Sequence, residues 1–200
     1  MPEIHQKKYY SCYHCQVIFL DESQILSNEE QFKRYQLHTH HSDHGLREYL
    51  QPAFAAIQEV AQNFKEKEIH LLDFGSGPHP PLKSEIQNLN INYESYDLFF
   101  NDHSEWLNKK YDIILLTEVI EHLCHPTKEL QNLCQLLKNN GSVIVMTQAF
   151  KSDTDFANWH YRRDPTHVTF YQKKTFEILA ENLRLKLTHP HPFIFILSDP

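Results

Sequence analysis

The sequence predicts an α/β fold: a doubly wound, mostly parallel sheet with helices on both faces, an antiparallel last strand, and one peripheral strand shortened or missing. Three observations carry this. Apolar runs of strand length at 69–74, 91–97, 111–117 and 142–147 alternate with stretches of helical periodicity, and such alternation specifies parallel strands joined by crossovers. The first run ends in Phe74-Gly75-Ser76-Gly77, the punctuation of a buried strand entering a turn. Only thirteen residues, 98–110, separate the second run from the third. A single crossover already takes about a dozen, so a helix, a further strand and a second helix cannot fit there.

Taken in order, Tyr9 to Leu20 reads as a hairpin around Cys12-Tyr13-His14-Cys15, followed by a polar segment to His44. From Gly45 to Phe64, Leu46, Leu50, Phe54, Ile57 and Ala61 recur at the spacing of an amphipathic helix. Pro52 predicts a bend or break near Leu50. Leu82 to Leu89 can form a short helix. Thr127 to Lys138 predicts another, with Leu130, Leu133, Cys134 and Leu137 on one face and Asn139-Asn140-Gly141 as a left-handed stop. Thr175 to Leu183 is helical. Arg184–Thr188 and Phe193–Leu197 then make a terminal pair of antiparallel neighbours around Pro190 and Pro192.

Composition narrows the class. Two hundred residues with a hydrophobic fraction of 40% and an aromatic fraction of 12% suit one folded domain with a short appendage. A net charge of −7 argues against a general nucleic-acid binder, which needs a basic face. No apolar run reaches the ~20 residues of a membrane span. Met1 to Gln16 lacks the apolar core of a secretory signal, and four cysteines are too few for a disulfide framework. A reducing, cytoplasmic location is the expectation.

Chemistry concentrates after the first strand. Leu72-Asp73-Phe74-Gly75-Ser76-Gly77-Pro78 places glycine where the backbone must turn and approach a ligand closely. Asp97 follows at the end of the next strand, about twenty residues on, where a carboxylate reaches ribose hydroxyls. A nicotinamide site wants a third glycine beneath the pyrophosphate; here His79 holds that place, followed by Pro80-Pro81. A sulfonium nucleoside has no pyrophosphate and tolerates the loss.

The later blocks separate these readings. Tyr111-Asp112-Ile113-Ile114-Leu115-Leu116-Thr117-Glu118-Val119-Ile120-Glu121-His122 resembles the fourth-strand motif of class I S-adenosylmethionine-dependent methyltransferases, and Leu137-Lys138-Asn139-Asn140-Gly141-Ser142-Val143 resembles their next block. The resemblance runs from Leu71 to about Leu197, roughly two thirds of the chain. It implies a Rossmann-like fold and S-adenosylmethionine as cofactor. By position, Asp73, Phe74, Gly75, Ser76, Gly77 and Pro78 would shape the methionine pocket. Asp97 would hold the ribose, and Leu98 would lie near the adenine. Thr117 and Glu118 would line the sulfonium side. Tyr35 and His38 occupy a segment that closes over the cofactor in such enzymes.

Residues 153–168 are too long and polar for a simple connection. Their Tyr161-Arg162-Arg163-Asp164-Pro165-Thr166-His167 core resembles the segment of small-molecule methyltransferases that overhangs the reacting methyl, on acceptors such as quinols and sugars. Arg162 or Arg163 could pair with an anionic acceptor. A histidine near neutrality suits an acceptor's proton. His167 and then His122 are the candidates, with Arg163 and Asp164 beside them. The alternatives are structural: His167 bonded to Asp164, and His122 starting or capping a helix.

Cys12 and Cys15 have the gap of a zinc knuckle, but zinc needs four ligands. Related methyltransferases can carry an amino-terminal zinc ribbon, and Tyr9 to Phe19 resembles its second half. Residues 1–43 are therefore read as a hairpin remnant with a lid segment and 44–200 as the methyltransferase domain. Zinc at Cys12 and Cys15 is possible if His5, His14 or His38 completes the site. The expected function is methyl transfer to an oxygen or nitrogen of a small-molecule acceptor. The alternatives are a catalytically idle cofactor-binding partner, an RNA or protein methyltransferase, and a nicotinamide enzyme.

Overall fold

The structure, a computed structural model, describes residues 4, 6–37, 43–64, 67–151 and 156–200. Six strands form the main sheet: β3 (Ile69–Phe74), β4 (Ile91–Tyr96), β5 (Tyr111–Thr117), β6 (Leu137–Met146), β8 (Lys186–His191) and β9 (Ile194–Ser198). Their spatial order is β4-β3-β5-β6-β9-β8. The first four run parallel, while β9 is antiparallel to both β6 and β8. This is the predicted architecture. Among the described residues no strand lies beyond β4. The segment after it turns back through an Asp97–Asn101 bridge into a 3-10 turn, Glu105–Asn108. There Trp106 packs on Tyr96 at 4.8 Å and on Phe74 at 5.6 Å between ring centroids.

Strand periodicity divides the core in two. Ile114, Leu116, Val143 and Val145 face one side, against α4 (Pro126–Cys134) and α5 (Lys173–Leu183). Ile113, Leu115, Ile144 and Met146 face the other, against α2 (Asp43–Ala61) and α3 (Leu82–Glu85). Because successive side chains alternate between faces, a strand covered on both sides must be apolar throughout. That accounts for the unbroken run Ile113-Ile114-Leu115-Leu116.

Three expectations are corrected. Helix α2 continues through Pro52 without a break. Proline in a helix interior costs about 3 kcal/mol, and burial of Leu50, Ala53, Ala56 and Ile57 against the sheet offsets it. Helix α4 stops at Cys134 rather than Lys138, because the Tyr111 N–H donates to the Leu136 carbonyl at 2.9 Å and Leu137 already pairs with Tyr111 in β6. The left-handed residue of the Asn139-Asn140-Gly141 triplet is Asn140, with φ 64°. It lies inside β6, alongside a register shift between Tyr111 and Ile113, and caps no helix.

The polar segment before His44 also holds a helix that periodicity misses, α1 (Asn28–Leu37). Ser27 and Glu30 form a capping box: the Ser27 N–H donates to Glu30 Oε2 at 2.8 Å, and the Glu30 N–H donates back to Ser27 Oγ at 3.4 Å. The expected hairpin is present as β1 (Tyr9–Ser11) and β2 (Ile18–Leu20). It is widened to three strands by β7 (Thr169–Phe170), and Tyr9, Ile18, Leu20, Phe156 and Phe170 share a third core. No helix of the described residues is long and apolar enough to cross a membrane.

The capping box accounts for α1 being ordered despite few apolar residues. Ser27→Ala is expected to weaken this helix by about 0.5–2 kcal/mol, read as faster amide exchange across 28–37 with an unchanged global melting temperature. Ile114→Ala, in the fully buried centre of β5, is expected to cost the whole domain about 2–5 kcal/mol.

Candidate active site

A cavity of about 570 Å³ opens at the carboxyl ends of β3, β4 and β5. The glycine loop forms its floor. Gly75 and Gly77 have φ of +78° and +69°, a region that favours glycine. A Cβ at Gly75 would stand 2.5 Å from Val119 Cγ2, whereas one at Gly77 would meet nothing within 4 Å. Phe74, Gly75, Gly77 and Pro78 line the cavity. Asp73 and Ser76 are buried behind it.

The loop is fastened to the end of β4. The N–H groups of Gly75 and Ser76 donate to the Tyr96 carbonyl at 2.7 and 3.1 Å. Asp97 Oδ2 accepts the Gly77 N–H at 2.9 Å, while Oδ1 accepts those of Phe99 at 2.9 Å and Phe100 at 3.1 Å. Asp97 and Leu98 line this wall. Helix α1 roofs it, with Phe32 and Tyr35 against Phe99 at 6.0 and 5.4 Å. Tyr35 therefore lines the cavity from above; His38 lies outside the described residues.

Buried acid underlies the site. Asp73 Oδ2 accepts the Tyr93 hydroxyl at 2.5 Å, Oδ1 has no partner among the described residues, and burial pushes the carboxyl up to about 6. At the end of β5, Thr117 is half-buried behind the lining, and Glu118, with φ 53°, turns into the cavity. Burial, then the neighbouring Glu121, pushes Glu118 up to about 8. Burial pushes the fully buried Glu121 to about 7. The Tyr161 hydroxyl bridges the two carboxylates, 3.0 Å from Glu118 Oε2 and in a short hydrogen bond with Glu121 Oε1. Thr147 Oγ1 donates to Glu121 Oε2 at 2.9 Å.

The far wall carries His122, Asp164, Thr166 and His167. His122 Nδ1 lies 3.0 Å from the Thr166 carbonyl, and His167 Nδ1 lies 2.7 Å from that of Tyr161. A carbonyl only accepts, so Nδ1 carries a proton in both rings, and in the neutral ring the lone pair is then on Nε2. The rings meet at 4.7 Å, and burial lowers the His122 pKa. Burial opposes ionisation of Asp164, but two hydrogen bonds from Thr166 outweigh it and hold the carboxyl below its usual range. The His167 N–H donates to the Asp164 carbonyl at 3.2 Å.

Neither arginine of this segment reaches the cavity. Arg162 is buried, donates to the carbonyls of Phe156 and Ala157 at 3.3 and 2.9 Å, and lies over the Tyr9 and Phe156 rings. Its charge serves the fold, which corrects its expected pairing with an acceptor. Arg163 is exposed, away from the lining. Cys12 and Cys15 sit in the hairpin turn, where backbone amides lower the Cys12 thiol and burial raises that of Cys15. Among the described residues no third candidate metal ligand joins them. The group that does form is Glu121, His122 and His167. Sequence reasoning missed Gln31, Phe99, Phe100 and Thr166 on the lining, and Tyr161 and Thr147 behind it. Phe99 and Phe100 could have been found, as two aromatics directly after the strand-ending Asp97.

A family model described as a methyltransferase domain matches residues 39–189. No curated protein matches the sequence. Among solved structures, an O-methyltransferase family protein from Burkholderia thailandensis superposes with a TM-score of 0.55 at 10% identity, covering 78% of this chain and 57% of that one. A SAM dependent methyltransferase from Archaeoglobus fulgidus gives 0.52 at 18%, covering 79% and 72%. The [4+2]-cyclase SpnF gives 0.51 at 12%, covering 70% and 59%. At these identities the likeness is one of fold, and the chain spans little more than half the length of the first of them.

Carboxylates held above their unfolded values bind extra protons in the folded state, so folding stability falls as pH rises through the window between the two. With Glu118 near 8 and Glu121 near 7, urea unfolding in metal-free buffer is expected to show stability declining from pH 5 to pH 8. Glu118→Gln is expected to flatten that slope. A wild-type curve that rises over the same range contradicts the assignment.

Proposed function

The chain belongs to the methyltransferase-domain family, and on that premise we propose that it uses S-adenosylmethionine to methylate an oxygen or nitrogen of a small-molecule acceptor, such as a quinol or sugar. The observation that carries this reading is one cavity with the Asp97-tied glycine loop on one side and the His122–His167 pair on the other. Its volume of about 570 Å³ lies within the usual range for a small-molecule site. The net charge of −7 weighs against RNA as acceptor.

The residues fit the cofactor. Three of the four lone-pair positions on Asp97 hold backbone amides, which leaves acceptor capacity for a ribose hydroxyl. Leu98 and Phe99 would flank the adenine. The open space beside Gly77 admits the methionine part, with Asp73, Ser76 and Pro78 supporting the loop. Thr117 and Glu118 would line the sulfonium side. Tyr35 would close over the top. Bound there, S-adenosylmethionine supplies an electrophilic methyl group. The protein's own work is then to orient an acceptor in line, exclude water, and accept the acceptor's proton. That proton falls to the paired imidazoles, His167 first, with Asp164 positioning the segment. Arg163 is given no part. Within this reading residues 44–200 form the catalytic domain, and residues 1–43 supply the hairpin and lid.

Calorimetry is expected to show one S-adenosylmethionine bound per chain. Asp97→Ala should weaken it at least about tenfold, since a hydrogen bond to a charged group contributes roughly 1.5–3 kcal/mol. His167→Gln should leave that affinity intact while turnover on a panel of quinols and sugars, read as demethylated cofactor, falls about 10²–10⁴-fold. Absence of binding, with no effect of Asp97→Ala, refutes the reading.

A further inference from the structure

We propose that Glu121, His122 and His167 hold a divalent first-row cation, such as Mn2+ or Zn2+, at the acceptor end of the cavity. One ligand atom from each lies within 4.8 Å of the others. Ligands 2.0–2.2 Å from a cation stand roughly 3–3.5 Å apart, so a small rotation of the side chains closes the set. Both rings are already prepared for it. Each gives its Nδ1 proton to a backbone carbonyl, the partner that fixes a metal-binding imidazole with Nε2 as ligand.

Glu121 is prepared in the same way. It is fully buried, and hydroxyls of Tyr161 and Thr147 hold one position on each oxygen. A carboxylate has about four such positions, so two remain. The backbones that carry the three ligands are tied together: the Val168 N–H donates to the Glu121 carbonyl at 2.9 Å, and the Tyr171 hydroxyl donates to the Ile120 carbonyl at 2.7 Å. A second carboxylate, Glu118, stands across the Tyr161 hydroxyl. Among the described residues no lysine or arginine forms an ion pair with either glutamate. Two neighbouring acids with no cationic partner among the described residues need protons or a bound cation to neutralise them, and a cation held by the adjacent imidazoles would do so.

Two imidazoles with one carboxylate favour a first-row transition ion over Mg2+, and three protein ligands leave positions open toward the cavity. The catalytic role rests on the methyl-transfer reading; the binding does not. An acceptor hydroxyl placed against such a cation gives up its proton more readily, and the cavity-lining Glu118 carboxylate, whose Oε1 has no partner among the described residues, stands ready to take it. The oxygen's electron pair then forms the bond to the methyl carbon as the carbon–sulfur bond breaks, its pair remaining on sulfur. The imidazoles would thus act on the acceptor's proton through the ion they hold.

The test is titration of chelator-stripped protein with MnCl2, followed by calorimetry and by the electron paramagnetic resonance of free Mn2+. Mn2+ is chosen because thiolates such as Cys12 and Cys15 select softer ions. One Mn2+ per chain is expected, weakened at least about tenfold in His122→Gln and in His167→Gln, with S-adenosylmethionine affinity unchanged in both. Glu121→Gln should behave alike. Should that buried change unfold the chain, the two cavity-wall variants decide. No saturable binding, or binding unaffected by both histidine variants, overturns the site. Wild-type protein that binds Mn2+ but not S-adenosylmethionine would sink the methyl-transfer reading and leave the metal site standing.

Discussion

The site depends on the three amide hydrogen bonds that converge on the Asp97 carboxylate. With no strand beyond β4 among the described residues, the chain must reverse as soon as β4 ends, and a reversal leaves backbone donors without ladder partners. Asp97 takes those of Phe99 and Phe100 on one oxygen and that of Gly77 on the other. One side chain therefore closes the turn and fastens the glycine loop to it. The turn in turn presents Phe99 and Phe100 to Phe32 and Tyr35 of α1. Floor, wall and roof of the cavity are coupled through that carboxylate.

The opposite wall is built on a more costly principle. Glu121 is buried and Glu118 half-buried within reach of one phenol, and desolvating two like charges is unfavourable unless protons or a cation neutralise them. A structural role alone would be met more cheaply by apolar residues of the same volume. The surroundings maintain the arrangement. Tyr161 and Thr147 hold Glu121, and the segment that carries Tyr161 and His167 is braced from outside by the hairpin. Strand β2 pairs with β7, the Thr175 hydroxyl donates to the Cys15 carbonyl at 2.9 Å, and the Arg162 guanidinium lies over the Tyr9 ring. The cysteine turn thus has a mechanical part in the site whether or not it binds metal.

What the sequence made legible follows from range and burial. Strands covered on both faces had to be continuous apolar runs, so β3 and β5 were found to the residue. The missing peripheral strand followed from counting chain between Leu98 and Lys110. Asp97 and the glycine loop are local signals at strand ends and were equally plain. Helix α4 was overrun because Leu137 falls in step with Leu130, Leu133 and Cys134, so helical spacing and the start of a strand coincide. Helix α1 was missed because its order comes from Ser27 and Glu30 rather than an apolar stripe. The Tyr161–Glu121 contact spans 40 residues, and no local pattern announces it.

A division of labour across the cavity follows. The side facing the glycine loop is held firmly, because the N–H groups of Gly75, Ser76, Gly77, Phe99 and Phe100 all have a backbone or carboxylate partner. The roof is held by a few aromatic contacts, by a side-chain hydrogen bond between Tyr35 and Thr166, and by Arg34, whose Nη2 stands 4.0 Å from Asp164 Oδ2, a partly exposed pair of small worth. Weakly held elements open at little free-energy cost. Under the proposed function, in a cavity walled by sheet ends on one side and a braced loop on the other, α1 would be the part that moves aside for a ligand and returns. Its return would bring Tyr35 back over His122, 5.5 Å between ring centroids, and shut water out from the wall where the acceptor's proton is handled. The polar, capped character that hid α1 from periodicity is the property a lid requires: it must be stable as a helix without being buried as one.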